Sequence, residues 1–242
     1  MSERAVVFTD VYNFRDLGGY RTADGHTTAW GRLYRSDDLA RLTEADMAAF
    51  AGLGIRTVID LRRPNEVDEL GRFPETAGVA YHHIHLPHPA WPNQQFTDNA
   101  ARADFVVERY QEMSVASAEA FGDALRVIAD ADTAPLVFHC IAGKDRTGIL
   151  SALTLSLLGV DDGTIADDYA LSEAAEPQAW AYYARRKPGV VRPAGIVISP
   201  REAMLRFLTD LRERHGSIEG YAAAVGVTDA DIAALRGHLL AG

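Results

Sequence analysis

The stretch PLVFHCIAGKDRTG, Pro135 to Gly148, constrains this chain more than any other. Leu136, Val137 and Phe138 form a short apolar run of buried-strand type that leads straight into His139 and Cys140. Five residues separate the last of these from Arg146, which is followed by TGILSALTLSLLG, apolar nearly all round, as a buried helix is. Ligands of open α/β sheets sit beyond the carboxyl ends of the strands, which is where Cys140 falls. A loop from Ile141 to Arg146 directs successive backbone N–H groups into one concavity, and the helix adds its positive N-terminal end. That is a receptor for a tetrahedral dianion. Gly143 allows the tight turn where a Cβ would obstruct it.

The field that holds phosphate also lowers a thiol pKa from its free value of about 8.5, so Cys140 is expected to attack phosphorus as a thiolate. Arg146 has the planar fork needed to grip two phosphate oxygens, most strongly as the transition state flattens. The phosphate-binding set expected is Ile141, Ala142, Gly143, Lys144, Asp145, Arg146 and Thr147. Thr147 is also placed to donate its hydroxyl to the sulfur as the latter leaves. No metal or other cofactor is expected, because the guanidinium and the amides supply the counter-charge. The leaving oxygen needs a proton. Asp145, inside the loop, is the nearer candidate; Asp60 is the rival, with anchoring of loop backbone as its alternative role. Lys144 either faces a further phosphate or is solvated. A lone cysteine is more often an inert core residue, but strand, cysteine, loop, arginine and helix together outweigh that reading. A Walker-type loop is excluded because Asp145 stands where Ser or Thr is required.

Elsewhere, Asn13 to Leu39 reads as a hairpin or short irregular strands turning at Asp24-Gly25. Thr43 and Asp46 open a helix through Phe50 that stops at Gly52 and Gly54. Strands are expected over Ile55 to Leu61 and Val79 to Leu86, and helical periodicity runs from Asn99 to Asp130. Ser199, Pro200 and Glu202 form a capping box, and Ser217 and Thr228 open two shorter helices. Strands alternating with helices, followed by a helical C-terminal third, indicate an α/β fold with a mainly parallel central sheet flanked by helices.

The formal net charge of −10 argues against nucleic acid as a partner. One cysteine excludes an internal disulfide and cysteine-based zinc sites. His82, His83, His85 and His88 lack a completing carboxylate or cysteine, so a metal site is not expected there. No signal-type N-terminus and no long apolar run is present, so stable membrane insertion is not expected and the compartment expected is the cytoplasm, with export without a signal peptide left open.

HCIAGKDRTG resembles the signature loop of the protein tyrosine phosphatase superfamily, His-Cys, five residues, Arg-Ser/Thr-Gly. The Gly-Lys-Asp-Arg-Thr variant is similar to a bacterial tyrosine-phosphatase-like group with lipid-phosphatase relatives. Asn13 to Gly19, Leu33 to Asp37, Asp60 to Arg62, Tyr169 to Ser172 and Gly216 to Tyr221 resemble that group's other motifs. The resemblance implies a single phosphatase domain over residues 1–242, a helical lid, and substrates that are phosphorylated proteins (phosphotyrosine, also phosphoserine/threonine) or phosphoinositides. The lid falls on residues 161–200, where six acidic residues (Asp161 to Glu176) precede a basic run of Arg185, Arg186, Lys187, Arg192 and Arg201. Arg15, Asp16, Arg35 and Asp37 are expected to pair among themselves, and Arg62 with an acidic neighbour. Two competing functions remain: a rhodanese-type sulfurtransferase, against which the Arg146-Thr147-Gly148 ending speaks, and a phosphate-binding module without turnover.

Overall fold

The computed structural model describes residues 4–89, 91–92, 95–186 and 196–241. Its strands are β1 (Arg15–Asp16), β2 (Thr27–Thr28), β3 (Leu33–Ser36), β4 (Thr57–Asp60), β5 (Ala80–His83), β6 (Leu136–His139) and β7 (Leu240–Ala241). β1, β3, β6, β4 and β5 lie side by side in that order in one sheet; β3, β6, β4 and β5 run parallel, and β1 is antiparallel at one edge. The register puts Ser36, His139 and Asp60 level at the carboxyl ends of three adjacent strands. All three side chains are buried, so the polar ends of these strands form the floor of one site.

Alternation along the strands divides the core in two. Tyr34, Val58 and Val137 face one cluster, with Phe14, Phe50 and Phe73; Leu33, Ile59 and Phe138 face the other. The first is covered by α1 (Glu44–Gly52), capped by Thr43 and Asp46 as expected. Next along the chain comes α2 (Pro64–Leu70). The second cluster is covered by α3 (Asn99–Ala116), α4 (Ala118–Ala129), α5 (Asp145–Leu157) and α6 (Asp162–Ala170). These are followed by α7 (Glu176–Arg186), α8 (Arg201–His215), α9 (Ile218–Ala224) and α10 (Asp229–Leu239), of which α8 to α10 add to the same core. Every residue of α5 after Asp145 is buried. Its hydroxyls tolerate this because Ser151 and Thr154 donate back to the carbonyls of Thr147 and Leu150, 2.7 and 2.8 Å away. Removing a leucine from this helix costs about 2–5 kcal/mol.

Several elements differ from the sequence reading. β3 is no irregular strand: it is an inner, wholly buried strand of the sheet. Its LYRS sequence looks unlike a core strand because its last residues serve the site. β5 is an edge strand of four residues and ends well before Leu86. The long helix over 99–130 breaks at Ser117, whose hydroxyl donates to the Pro87 carbonyl at 2.6 Å. α2 was not foreseen. Ser199 does not cap α8; its amide goes to Glu173 Oε2 at 2.8 Å, its hydroxyl has no partner among the described residues, and the helix starts at Arg201. Ser217 and Thr228 do cap α9 and α10. Among the described residues no helix is long and apolar enough to cross a membrane.

Candidate active site

Cys140 leaves the end of β6 at the bottom of the site, with 2% of its surface exposed. The loop that follows is turned inside out by its neighbours. The carbonyl of Ile141 accepts from the Asp38 amide at 3.2 Å. Those of Ala142 and Gly143 accept from Asn13 Nδ2 at 3.0 and 3.2 Å, and Arg35 Nη2 takes the Gly143 carbonyl again at 2.7 Å. With three successive carbonyls tied outward, the amides are left to face the concavity beside Cys140. Among the described residues no backbone carbonyl accepts from the amides of residues 141–144. The first-turn amides of α5 have no intrahelical partner by construction. Gly143 holds the turn at φ +63°, and a Cβ there would lie 2.5 Å from the Ser36 carbonyl oxygen.

The tethers are themselves fixed. Asn13 Oδ1 accepts from Arg15 Nη1 at 2.5 Å, which orients its amide so that Nδ2 faces the loop. Arg15 and Arg35 are cross-strand neighbours between β1 and β3, so two like charges lie side by side and need a shared anion. Asp168 of α6 is that anion: it accepts from Arg15 Nε at 2.8 Å, Arg35 Nη1 at 2.5 Å and the Tyr20 hydroxyl at 2.9 Å. Burial alone would raise the Asp168 carboxyl, but Arg15 and Arg35 hold it well below the usual range. The expected pairing of Arg15, Asp16, Arg35 and Asp37 among themselves is therefore corrected. Asp16 accepts from the amides of Gly18 and Gly31, and Asp37 from those of Tyr12 and Asn13 and from Arg41. The carboxylate that completes the set comes from inside the segment expected to be a lid.

Arg146 is buried, and its fork is aimed by Glu66, the third residue of α2. Nη1 and Nη2 lie 2.5 and 3.1 Å from the two Glu66 oxygens. Glu66 Oε2 also accepts the Arg63 amide at 2.7 Å, closing the first turn of α2. Burial would lower the Arg146 pKa, but the neighbouring Cys140 and Glu66 outweigh it and raise the value. Thr147 is buried, and its hydroxyl has no hydrogen-bond partner among the described residues.

The two acid candidates sit in different surroundings. Asp60 is wholly buried. Its Oδ1 accepts the Arg62 amide and Nε at 3.0 and 2.9 Å; its Oδ2 accepts Arg62 Nη2 at 2.6 Å and the Tyr81 hydroxyl at 2.7 Å. His139 Nε2 stands 3.6 Å from the same oxygen. Burial pushes the Asp60 carboxyl up, but His139, Arg62 and Tyr81 together pull it well below the usual range. Both oxygens are taken up by donors from Arg62 and Tyr81. Arg62 pairs as expected, with Asp60 and with Asp38 at 2.9 Å. Asp145, the first residue of α5, is partly exposed. Its Oδ1 accepts from the Tyr110 hydroxyl at 2.9 Å and lies 3.2 Å from Lys144 Nζ. Lys144 is neither solvated nor free for substrate: it is buried, and its Nζ also donates to the Ile198 carbonyl at 3.2 Å. Burial lowers its pKa, with Asp145 opposing.

Of the remaining residues singled out, His83 bonds the Arg62 carbonyl at 2.9 Å, and the His88 ring lies 3.0 and 3.1 Å from Arg63 Nη2. Among the described residues no group of three or more His, Cys, Asp or Glu side chains is arranged to hold a metal ion. Of the basic run, Arg201 pairs with Asp167 at 2.5 Å, while Lys187 and Arg192 lie outside the described residues. Glu66, Tyr110, Asn13 and Asp168 were not singled out as site residues from sequence. Only Glu66 had a local signal, since Pro64 at N1 with Glu66 at N3 is a helix start.

A buried cysteine at a strand end, an amide-lined loop and an aligned arginine define a cysteine-dependent phosphatase. The model of the tyrosine phosphatase family matches residues 6–241, and the chain belongs to that family. It is 28% identical to the triple specificity protein phosphatase PtpB of Mycobacterium tuberculosis, over 95% of this chain and 96% of that one. It is 31% identical to a protein of Cupriavidus necator named as a candidate tyrosine-protein phosphatase, over 98% and 89% of the two chains. It is also 30% identical to a tyrosine-protein phosphatase of Nostoc commune, over 85% and 73%.

Proposed function

We propose that this protein hydrolyses phosphate monoesters by way of a cysteinyl-phosphate on Cys140, with phosphotyrosine as its first substrate class. The outward tethering of the Ile141, Ala142 and Gly143 carbonyls carries the reading, because it leaves the loop amides to bind three phosphate oxygens around the sulfur. Cys140 Sγ attacks phosphorus and the bond to the leaving oxygen breaks. Asp145 gives that oxygen its proton. Asp145, now a carboxylate, takes a proton from water as the water attacks phosphorus, which frees the sulfur and inorganic phosphate. Arg146 binds the equatorial oxygens throughout. Asp60 keeps the anchoring role. The near-complete burial of Cys140 favours an aryl phosphate, whose flat ring can carry the phosphate inward. Both core clusters meet on one sheet, which supports a single phosphatase domain over 1–242.

A second reading has one observation behind it. Arg63 stands beside Arg146 through their shared Glu66 oxygen, and among the described residues its guanidinium meets the His88 ring and backbone rather than a carboxylate. A cation so placed suits a substrate with a further phosphate, such as a phosphoinositide head group. Phosphate release from phosphotyrosine peptides, phosphoserine peptides and phosphoinositides, measured in EDTA, tests both. The account expects phosphotyrosine turnover undiminished by the chelator; thiosulfate turnover without phosphate release would favour the sulfurtransferase instead.

A further inference from the structure

We infer that Tyr110, backed by Tyr169, is the positioning residue that fixes which oxygen of Asp145 carries the catalytic proton. The inference rests on the reading of Asp145 as general acid and adds to it a device on another helix.

Both bonds to Asp145 end on one oxygen. Tyr110 and Lys144 approach Oδ1, and no described group bonds Oδ2. A carboxyl whose Oδ1 already receives donors keeps its own proton on Oδ2. A carboxyl acid with two equivalent oxygens and a free torsion presents its proton in several directions; one with Oδ1 held presents it in one. The hold is rigid because Tyr110 is wholly buried on α3, its ring packed edge-on against Phe207 and Tyr169 at centroid distances of 5.7 and 6.0 Å.

The proton count gives the chain its direction. The Tyr110 and Tyr169 hydroxyls are 2.8 Å apart, and Tyr110 has one proton to donate. If it goes to Asp145, Tyr169 must donate to Tyr110, so the three groups point one way and polarise one another. Burial and the nearby Asp145 charge raise the Tyr110 pKa well above its ordinary value, so it stays a donor across the working range. The Tyr169 ring reaches this position by lying on α5 at Gly148, where a Cβ would come 3.1 Å from it. That gives the last glycine of the Arg-Thr-Gly triplet a role in the acid's support.

Removing the Tyr110 hydroxyl takes the donor from Asp145 Oδ1, so the aim of its Oδ2 proton is lost. The test is kcat/KM for a series of aryl phosphates of increasing leaving-group pKa, across pH, for Tyr110→Phe, Tyr169→Phe and Asp145→Asn. For Tyr110→Phe the expected loss is about tenfold with phenyl phosphate and smaller with para-nitrophenyl phosphate, whose leaving group needs little protonation. Tyr169→Phe should show the same pattern more weakly, and it tests the chain should Tyr110→Phe fold poorly. Equal losses for all esters would overturn the inference, leaving Tyr110 a packing residue. If Asp145→Asn itself shows no leaving-group dependence, the acid assignment fails first and the inference falls with it.

Discussion

Asp60 and Asp145 lie at the mouths of neighbouring elements around one loop, yet their surroundings are opposite. Asp60 is wholly buried, and both of its oxygens are bonded to Arg62. Asp145 is partly exposed and bonded at one oxygen. A carboxylate with both oxygens enclosed by a guanidinium is held in place and holds structure; one bonded at a single oxygen leaves the other open to a substrate. On the proposed reading, what separates anchor from acid is how many of the carboxylate's oxygens are held, not the residue type.

That contrast breaks most visibly under substitution. Asp60→Asn leaves Arg62 buried with only Asp38 as counter-charge and should cost about 3–5 kcal/mol in urea unfolding. Asp145→Asn should change stability by less than about 1 kcal/mol. Its kcat/KM for phenyl phosphate should fall on the order of a hundredfold or more. If Asp60→Asn folds normally and loses only activity, the two roles are reversed. Glu66→Gln removes the charge that aims Arg146, and about a tenfold fall in kcat/KM is expected, read with para-nitrophenyl phosphate.

Acid sharpens the comparison. The folded Asp60 and Asp168 carboxyls are both held below the usual range. Their stabilisation is therefore fully present above the unfolded value of about 4 and lost as pH falls toward the folded values. Thermal melts should show stability falling steadily below about pH 4; a flat profile there would remove the anchor role. The smallest effect belongs to Ser199→Ala, expected within about 0.5 kcal/mol, because among the described residues the hydroxyl makes no hydrogen bond and caps nothing.

The Cys140 to Arg146 unit was legible because all its parts are contiguous: strand, nucleophile, glycine turn, arginine and helix follow one another. The Thr43, Ser217 and Thr228 caps were legible for the same reason. The supports were not, because each is a partner chosen in three dimensions. Tyr110 meets Asp145 across 35 residues, Glu66 meets Arg146 across 80, and Asp168 meets Arg15 across 153. Nothing local tells Arg15 and Arg35 that their shared anion lies in a distant helix. The pairing of β1 with β3 sets those two arginines side by side, and only the fold brings α6 to them. α2 left a signal at Pro64 and Glu66, but a seven-residue helix with no buried residue has no periodicity to read.

The central claim is that the tethered loop makes Cys140 the atom that accepts the phosphoryl group. Rapid denaturation of the enzyme during turnover of para-nitrophenyl phosphate in EDTA, followed by peptide mass spectrometry, addresses it directly. The account predicts one phosphoryl group on the peptide containing Cys140, and none with Cys140→Ser despite retained binding of inorganic phosphate. Turnover by Cys140→Ser near the parent rate, or a phosphoryl group found on another residue, would contradict it.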